Sequence, residues 1–449
     1  AVLGGLAAGA ALVPAWSAHA KLFSVGRRRV DSFTLANGLE VVVLPSSRAP
    51  IVTQLVVYKV GSADEVPGKT GIAHFLEHMM FKGTDTVGPS EFSRTVSKNG
   101  GRDNAYTTYD STGYYQTVSP ERLELVMRME ADRMTNLRLS EKELVPERQV
   151  VLEERRMRIE NSPGALLDEV VHERLFGRDR PYGVPISGYV ADVDNLTLAD
   201  LMAFYRQHYM PNNAILIVGG DTTTAEVRGL AERYYGPIPA RLVEPRHRPD
   251  RGASGLPQIA SRADARVVEP RWTRHYLAPS YSKGETRYAY ALQVLAQLLG
   301  GGETSRLWRA LVTDGKRAIS AWAGYRPTSL GLTTFEVGVH PAASVTMTEV
   351  ESAVTGELAR LVESGVGDDE IERAQNQLLA AAIYAQDSLQ TGPRLFGSAL
   401  TTGSTVADLA AWPERIALVR PAEIVAAARH VWQPQHLVTS LLTPQSGSR

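Results

Sequence analysis

The sequence predicts an α+β protein of two homologous domains, each an antiparallel-rich sheet packed with helices, joined by a proline-rich linker. Three observations carry this expectation. Short β-branched runs and longer amphipathic segments mix along both halves. Residues 236–266 lose that periodicity and gather Pro237, Pro239, Pro245, Pro249 and Pro257 with many arginines, the texture of a linker. A few paired features also recur at one fixed offset, which is the mark of a duplicated unit.

Taken in order, residues 1–20 hold no charged side chain and end Ser17-Ala18-His19-Ala20. The small residues Ala18 and Ala20 after a short apolar run read as a cleaved secretory signal, and an exported, cysteine-free chain fits a periplasm. The competing reading is an uncleaved membrane anchor held by Arg27-Arg28-Arg29. No stable membrane insertion is expected once the leader is gone. Residues 21–235 form the expected N-terminal domain. There Leu39–Leu44 and Ile51–Tyr58 read as strands, Gly71–Phe81, Glu121–Met134 and Ser140–Ile159 as helices, and Ile215–Val218 as a buried strand. Residues 236–266 are the linker and 267–449 the second domain. The offset is 223 residues: Asp200-Leu201 with Tyr209-x-Pro211 answers to Glu423-Ile424 with Trp432-x-Pro434. The same shift carries Ala73-His74-Phe75-Leu76-Glu77-His78 onto Ala296-Gln297-Leu298-Leu299-Gly300-Gly301, so the second half would keep the scaffold and lose each polar residue of that segment.

Composition narrows the chemistry. The chain has 449 residues, with 48 Lys and Arg against 49 Asp and Glu, a net charge of −1 and no cysteine. Near-neutral charge offers no field for a phosphate backbone, which argues against nucleic acid. Without cysteine there is no disulfide, thiolate nucleophile or iron–sulfur cluster, and any metal must sit on His, Asp and Glu. His74 and His78 are i and i+4 on the helix after Gly71, about 6 Å apart on one face, a spacing that lets two imidazoles hold one Zn2+. Glu77 borders that face, where a carboxylate can take a proton from water at a metal. The order H-x-x-E-H reverses the familiar H-E-x-x-H. Apolar Ala73, Phe75, Leu76, Met79, Met80 and Phe81 leave little of the helix for solvent, and buried ionisable groups need partners.

A catalytic zinc needs a third protein ligand. In the helix Ser140–Ile159, Glu147 and Glu154 are seven apart on one face with Val150 and Val151, whereas Glu153 points about 100° away. Burial selects Glu154 as the ligand and Glu147 as the residue that orients a histidine. The alternative is solvated helix charges paired with Arg148, Arg155 and Arg158.

These residues resemble the pitrilysin or insulinase family of zinc peptidases, which includes insulin-degrading enzyme and mitochondrial processing peptidase. The resemblance runs through Gly71–Thr84, Gly100–Thr107 and Glu147–Glu154, through Tyr182-Gly183-x-Pro185-Ile186-x-Gly188 and Tyr205-x-x-x-Tyr209-x-Pro211-x-Asn213, and into Leu299-Gly300-Gly301-Gly302 and Ser305-Arg306-Leu307. It implies one Zn2+ on His74, His78 and Glu154, with Glu147 in support. Glu77 would be the general base that activates water and returns the proton to the leaving amine. It further implies that Gly100 and Gly101 lead into an edge strand where substrate peptide pairs, with Asn104 and Ala105 at the cleavage point.

The sequence departs from the family pattern in the second half. Members place an Arg and a Tyr seven apart and aim them at the substrate carbonyl; here those positions are Val312 and Ile319. Loss of such donors costs several kcal/mol of transition-state stabilisation. The family also works as a closed chamber of four domains. The resemblance therefore implies a heterodimer like mitochondrial processing peptidase, in which this chain is the zinc-bearing subunit and a homologous partner without the metal motif supplies Arg and Tyr. A homodimer is the competing assembly, and a non-catalytic scaffold the competing function.

Overall fold

The computed structural model describes residues 29–249, 257–385 and 391–445. The leader pattern at residues 1–20 lies outside them. In the first half, β1 (Asp31–Thr34), β2 (Glu40–Pro45), β3 (Val52–Tyr58), β4 (Arg102–Thr107), β5 (Thr112–Val118) and β6 (Ala214–Gly220) make one sheet in the order β1-β2-β6-β3-β5-β4. In the second half, β7 (Gln258–Asp264), β8 (Arg271–Ala278), β9 (Ala318–Tyr325), β10 (Thr333–Pro341) and β11 (Leu437–Pro444) are ordered β7-β11-β8-β10-β9. With β1 set aside, the two orders are identical. Each sheet has one parallel pair, β2 with β6 and β7 with β11, and is otherwise antiparallel. The expected α+β class is the one found, and the offset of 223 carries the helix Leu198–His208 onto the helix Pro421–Val431. Both helices start where polar groups close the first turn: Thr197 and Asp200 form a capping box, and the Glu423 carboxylate accepts from the Arg420 amide.

One boundary differs from expectation. The linker reading extended to residue 266, yet Gln258–Asp264 is the edge strand β7, in register with Val438–Pro444. Its sequence, Gln-Ile-Ala-Ser-Arg-Ala-Asp, has a single β-branched residue, and that residue, Ile259, faces out. The strand exists because β11 offers it a ladder, a tertiary cause with no local signature.

Each sheet buries one face under helices of its own half and the other under a helix lent by the opposite half. Leu167, Val171 and Leu175 of the helix Pro163–Phe176 pack with Ala260, Leu277 and Val438 of the second sheet. Reciprocally, Phe396 and Leu400 of the helix Thr391–Thr401 cover Leu55, Val57, Ile215 and Ile217 of the first. The halves are thus joined by exchanged apolar surface as well as by chain.

The linker adds a charged lock at this junction. Arg248 Nη1 donates to Asp64 Oδ1 (2.8 Å) and Nη2 to Asp110 Oδ1 (3.0 Å), while Arg246 pairs with Asp64 and donates to the Thr401 carbonyl (2.9 Å). Asp110 Oδ2 also accepts the Leu330 amide (3.1 Å), and Tyr182 donates to Asp110 (2.9 Å) while accepting from the Gly331 amide (2.8 Å). The Arg248 side chain is 4% exposed, and removing it takes one of two cations from a pair of buried carboxylates, leaving Arg246 beside both. Because Arg246 still faces both carboxylates, Arg248→Ala is expected to lower the unfolding free energy by about 1.5–3 kcal/mol in urea titrations; a loss below about 0.5 kcal/mol would show that the lock is not a structural element.

Candidate metal centre

The helix Ile72–Met79 starts at Gly71, with φ of 85°. A Cβ there would stand 2.7 Å from the Ser187 carbonyl oxygen and 2.8 Å from Val193 Cγ2, so conformation and space both require glycine. The Glu65 carboxylate accepts from the amides of Gly71 (2.8 Å) and Ala73 (2.9 Å), satisfying donors that a helix start leaves open. Phe75, Leu76 and Met79 are fully buried in the first core, each contributing about 1.5–3 kcal/mol of burial. That anchoring fixes the helix rotation and leaves His74, Glu77 and His78 on the other flank.

The second wall is the helix Glu141–Arg155. Glu154 Oε2 lies 3.1 Å from His78 Nε2 and its Oε1 3.7 Å from His74 Nε2. The imidazole centroids are 4.9 Å apart, and one ligand atom from each of His74, His78 and Glu154 lies within 4.8 Å of the others. Glu147 Oε1 is 3.0 Å from His78 Nδ1, and its other oxygen pairs with Lys82. Glu153 points away to Arg156 (3.0 Å). Val151 is buried, but Val150, expected on the same face, is 49% exposed, because successive residues of a helix are turned about 100° apart and Val150 falls past the contact. Of the three arginines weighed as partners, Arg148 donates to the Leu196 carbonyl, Arg155 clasps Glu169, and Arg158 alone reaches Glu154.

Charge is unevenly shared. Burial disfavours the His78 imidazolium, but hydrogen bonds to Glu147 and Glu154 prevail and raise His78 to about 9. Burial and the neighbouring His78 charge lower His74 to about 4. The Glu147 hydrogen bond, which His74 lacks, and the shorter contact to Glu154 account for the opposite directions of the two rings. Through its bond to His78, Glu154 is lowered to about 2. The pocket thus surrounds one cationic position with carboxylates. Two imidazole nitrogens and a carboxylate oxygen converge, with Glu147 fixing the far nitrogen of His78, and this donor set fits a divalent metal such as zinc.

Burial raises Glu77, against a hydrogen bond from Thr107 that lowers it. Thr107 Oγ1 donates to Glu77 Oε2 (2.5 Å) from the end of β4, which pairs only with β5 and so has an open edge among the described residues. Gly100 enters this strand with φ of 73°. A Cβ on Gly101 would come within 2.6 Å of Val118 and 2.9 Å of Val96. The Ala105 amide donates to Asn104 Oδ1 (2.8 Å) rather than into the ladder, so Asn104 covers a donor that the strand turns to its open side. His74, Glu77, His78, Glu147 and Glu154 therefore come together, with Asn104 and Ala105 on the adjoining strand and Gly100 and Gly101 at its entrance.

Sequence reasoning gave no role to Thr107 or Lys82, and it offered Arg158 only as a partner for solvated helix charges. The first two lie inside the motif stretches quoted above, but only tertiary pairing reveals what they hold. In the second half, Gln297 donates to Gln377 Oε1 (2.8 Å), and a Cβ on Gly300 would lie 1.8 Å from the Ala323 amide nitrogen. Packing there has replaced the polar chemistry. Ile319 is 55% exposed on β9.

A family model for insulinase, peptidase family M16, matches residues 41–187, and one for the inactive domain of peptidase M16 matches residues 195–378. Zinc protease PqqE of Helicobacter pylori is 35% identical over 298 residues, 65% of this chain and 65% of that protein, so the match spans just under two thirds of that relative. An uncharacterized zinc protease of Streptomyces coelicolor is 30% identical over 414 residues, 89% of this chain and 86% of that one. A crystal structure of a protease from Helicobacter pylori superposes with a TM-score of 0.85 at 27% identity, covering 93% of this chain and all (100%) of that one. The periplasmic protease PqqL of Escherichia coli shares the fold at a TM-score of 0.80 and 20% identity, over 94% of this chain and 48% of that one. With matches to both domain models and to a relative along most of its length, the chain belongs to the insulinase family of peptidases, family M16.

Proposed function

We propose that this protein is a zinc-dependent endopeptidase that hydrolyses peptides or unfolded polypeptides, with one Zn2+ per chain. The observation that carries the reading is the convergence of His74, His78 and Glu154 with Glu77 beside them at the end of an open strand. Zinc held there would supply a Lewis acid that polarises a peptide carbonyl and makes water a better nucleophile. The remaining work falls to the chain. Glu147 holds His78 Nδ1 and so turns Nε2 to the metal position. Glu77, kept in place by Thr107, takes a proton from the attacking water and passes it to the leaving amine nitrogen. Burial raises its pKa, which suits a group that must both accept and release a proton near neutral pH. The edge of β4 pairs with the substrate backbone, and Asn104 releases the Ala105 amide for that purpose.

The same reading makes this chain the catalytic subunit of a heterodimer. Apolar Val312 and Ile319 stand where the resemblance calls for Arg and Tyr, so a homologous subunit without the metal motif would bring them. The apolar leader with its A-x-A end supports export to the periplasm, and no helix among the described residues is long and apolar enough to cross a membrane.

Glu77→Gln is expected to retain stoichiometric zinc and lower kcat on an unstructured peptide about 10²–10⁴-fold. Unchanged hydrolysis in that variant would remove the peptidase reading in favour of a scaffold role. The purified chain alone is expected to bind zinc yet cleave at least about a hundredfold more slowly than when joined by its partner, as befits missing carbonyl donors. Full activity without a second polypeptide would replace the heterodimer by the homodimer.

A further inference from the structure

Strand β4 has two faces, and only one belongs to the metal centre. Ala105 packs toward the first core and Thr107 reaches Glu77, so Asn104 and Tyr106, alternating with them, face the other side of the sheet. That side is covered by the helix Thr391–Thr401 of the second half. Its Arg394 is exposed, and the guanidinium carbon stands 5.1 Å from the ring centroid of Tyr106 and 4.7 Å from that of Tyr115. Tyr115 is the register partner of Asn104, and Gly113 that of Tyr106. A Cβ on Gly113 would come within 2.5 Å of the Tyr106 ring, so glycine lets this ring lie down on the sheet as a platform. Arg394 consequently sits above Tyr106 of β4 and Tyr115 of β5, on the sheet face that Asn104, the partner of Tyr115, also occupies. Among the described residues no carboxylate stands within ion-pair distance of it, and stacking on rings leaves the N–H edge of a guanidinium available.

Resting on the peptidase reading, we infer that Arg394 is a specificity-determining residue that binds the side-chain carboxylate of an Asp or Glu in the substrate. A peptide paired with the edge of β4 places alternate side chains on the Arg394 face, about 4.5–5.5 Å from their cross-strand neighbours, within reach of a long arginine. Glu77 meets β4 at Thr107, next to Tyr106. At about 3.3 Å per strand residue, the acidic position falls within two residues of the bond that is cut. The Arg394 face therefore selects substrate while the metal face performs the chemistry.

The test uses the full-length enzyme in the assembly that hydrolyses a neutral reference peptide, with C-terminally amidated, internally quenched peptides that differ only by Glu, Gln or Lys at each position around the cleaved bond. Wild type is expected to favour Glu over Gln about tenfold in kcat/KM at one position within two residues of that bond, through KM. Arg394→Gln should bring the ratio to about one, and Arg394→Glu should shift the preference to Lys. The inference is overturned if no position favours Glu, if the preference survives both substitutions, or if both variants slow every peptide equally, which would make Arg394 only a clamp holding its helix on β4. A preference seen only with peptides carrying a free C-terminus would also overturn it, by assigning the carboxylate to the chain end. Fluorescence anisotropy of labelled Glu and Gln peptides on the Glu77→Gln chain separates this inference from the peptidase reading. Tighter binding of the Glu peptide supports the inference without turnover, and equal or absent binding overturns it.

Discussion

Burial of one flank of the helix Ile72–Met79 sets the geometry on which the site depends. Phe75, Leu76 and Met79 are sealed in the first core, and Gly71 with Glu65 fixes where the helix begins. With rotation and start both determined, His74 and His78 have one direction left, toward the helix Glu141–Arg155, and Glu77 is turned to the end of β4. Polar groups with little access to water then meet one another at short range. Their mutual satisfaction requires positive charge: a proton on His78 when nothing else is present, or a divalent cation held by both imidazoles and Glu154. The apolar side chains thus create the demand that the metal answers.

The duplicated half shows what happens when that demand is lifted. Its sheet repeats the strand order of the first, and its helix Ala289–Gly300 packs through Leu292, Leu295 and Leu299. The 223-residue offset sets Gly300 and Gly301 against Glu77 and His78, and Gly300 sits against the backbone of β9 with no room for a side chain. What the second half contributes instead is cover. Its helix Thr391–Thr401 seals the back of the first sheet and brings Arg394 to β4, while the helix Pro163–Phe176 returns the favour to the second sheet. The Arg246 and Arg248 lock fastens the same junction. Each half therefore completes the other's sheet, and a substrate strand on β4 would be read by residues from both.

What could be seen in the sequence follows the range of the forces involved. Helical spacing is local, so His74, Glu77 and His78 were legible, and seven-residue spacing separated Glu154 from Glu153. The same reasoning placed Val150 on the buried face, and it failed there because one residue of helical rotation separates contact from solvent. The 223-residue offset located a true repeat even though few identities survive, since a cap and a tyrosine or tryptophan before proline mark the ends of one helix in each half. Strand β7 was hidden inside the linker because its pairing is entirely with β11 at the far end of the chain. Thr107, Lys82 and Arg394 were silent for the same reason: each acts across the fold, and nothing next to it in sequence names its partner.

The central claim is that His74, His78 and Glu154 together hold one zinc ion. Zinc K-edge absorption spectroscopy on the purified full-length chain tests it most directly. The account predicts one zinc per chain with two imidazole nitrogens at about 2.0–2.1 Å and a carboxylate oxygen at about 2.0–2.2 Å, and loss of that oxygen in Glu154→Gln. A chain that purifies without zinc and cannot be loaded, or a zinc shell that Glu154→Gln leaves unchanged, would contradict it.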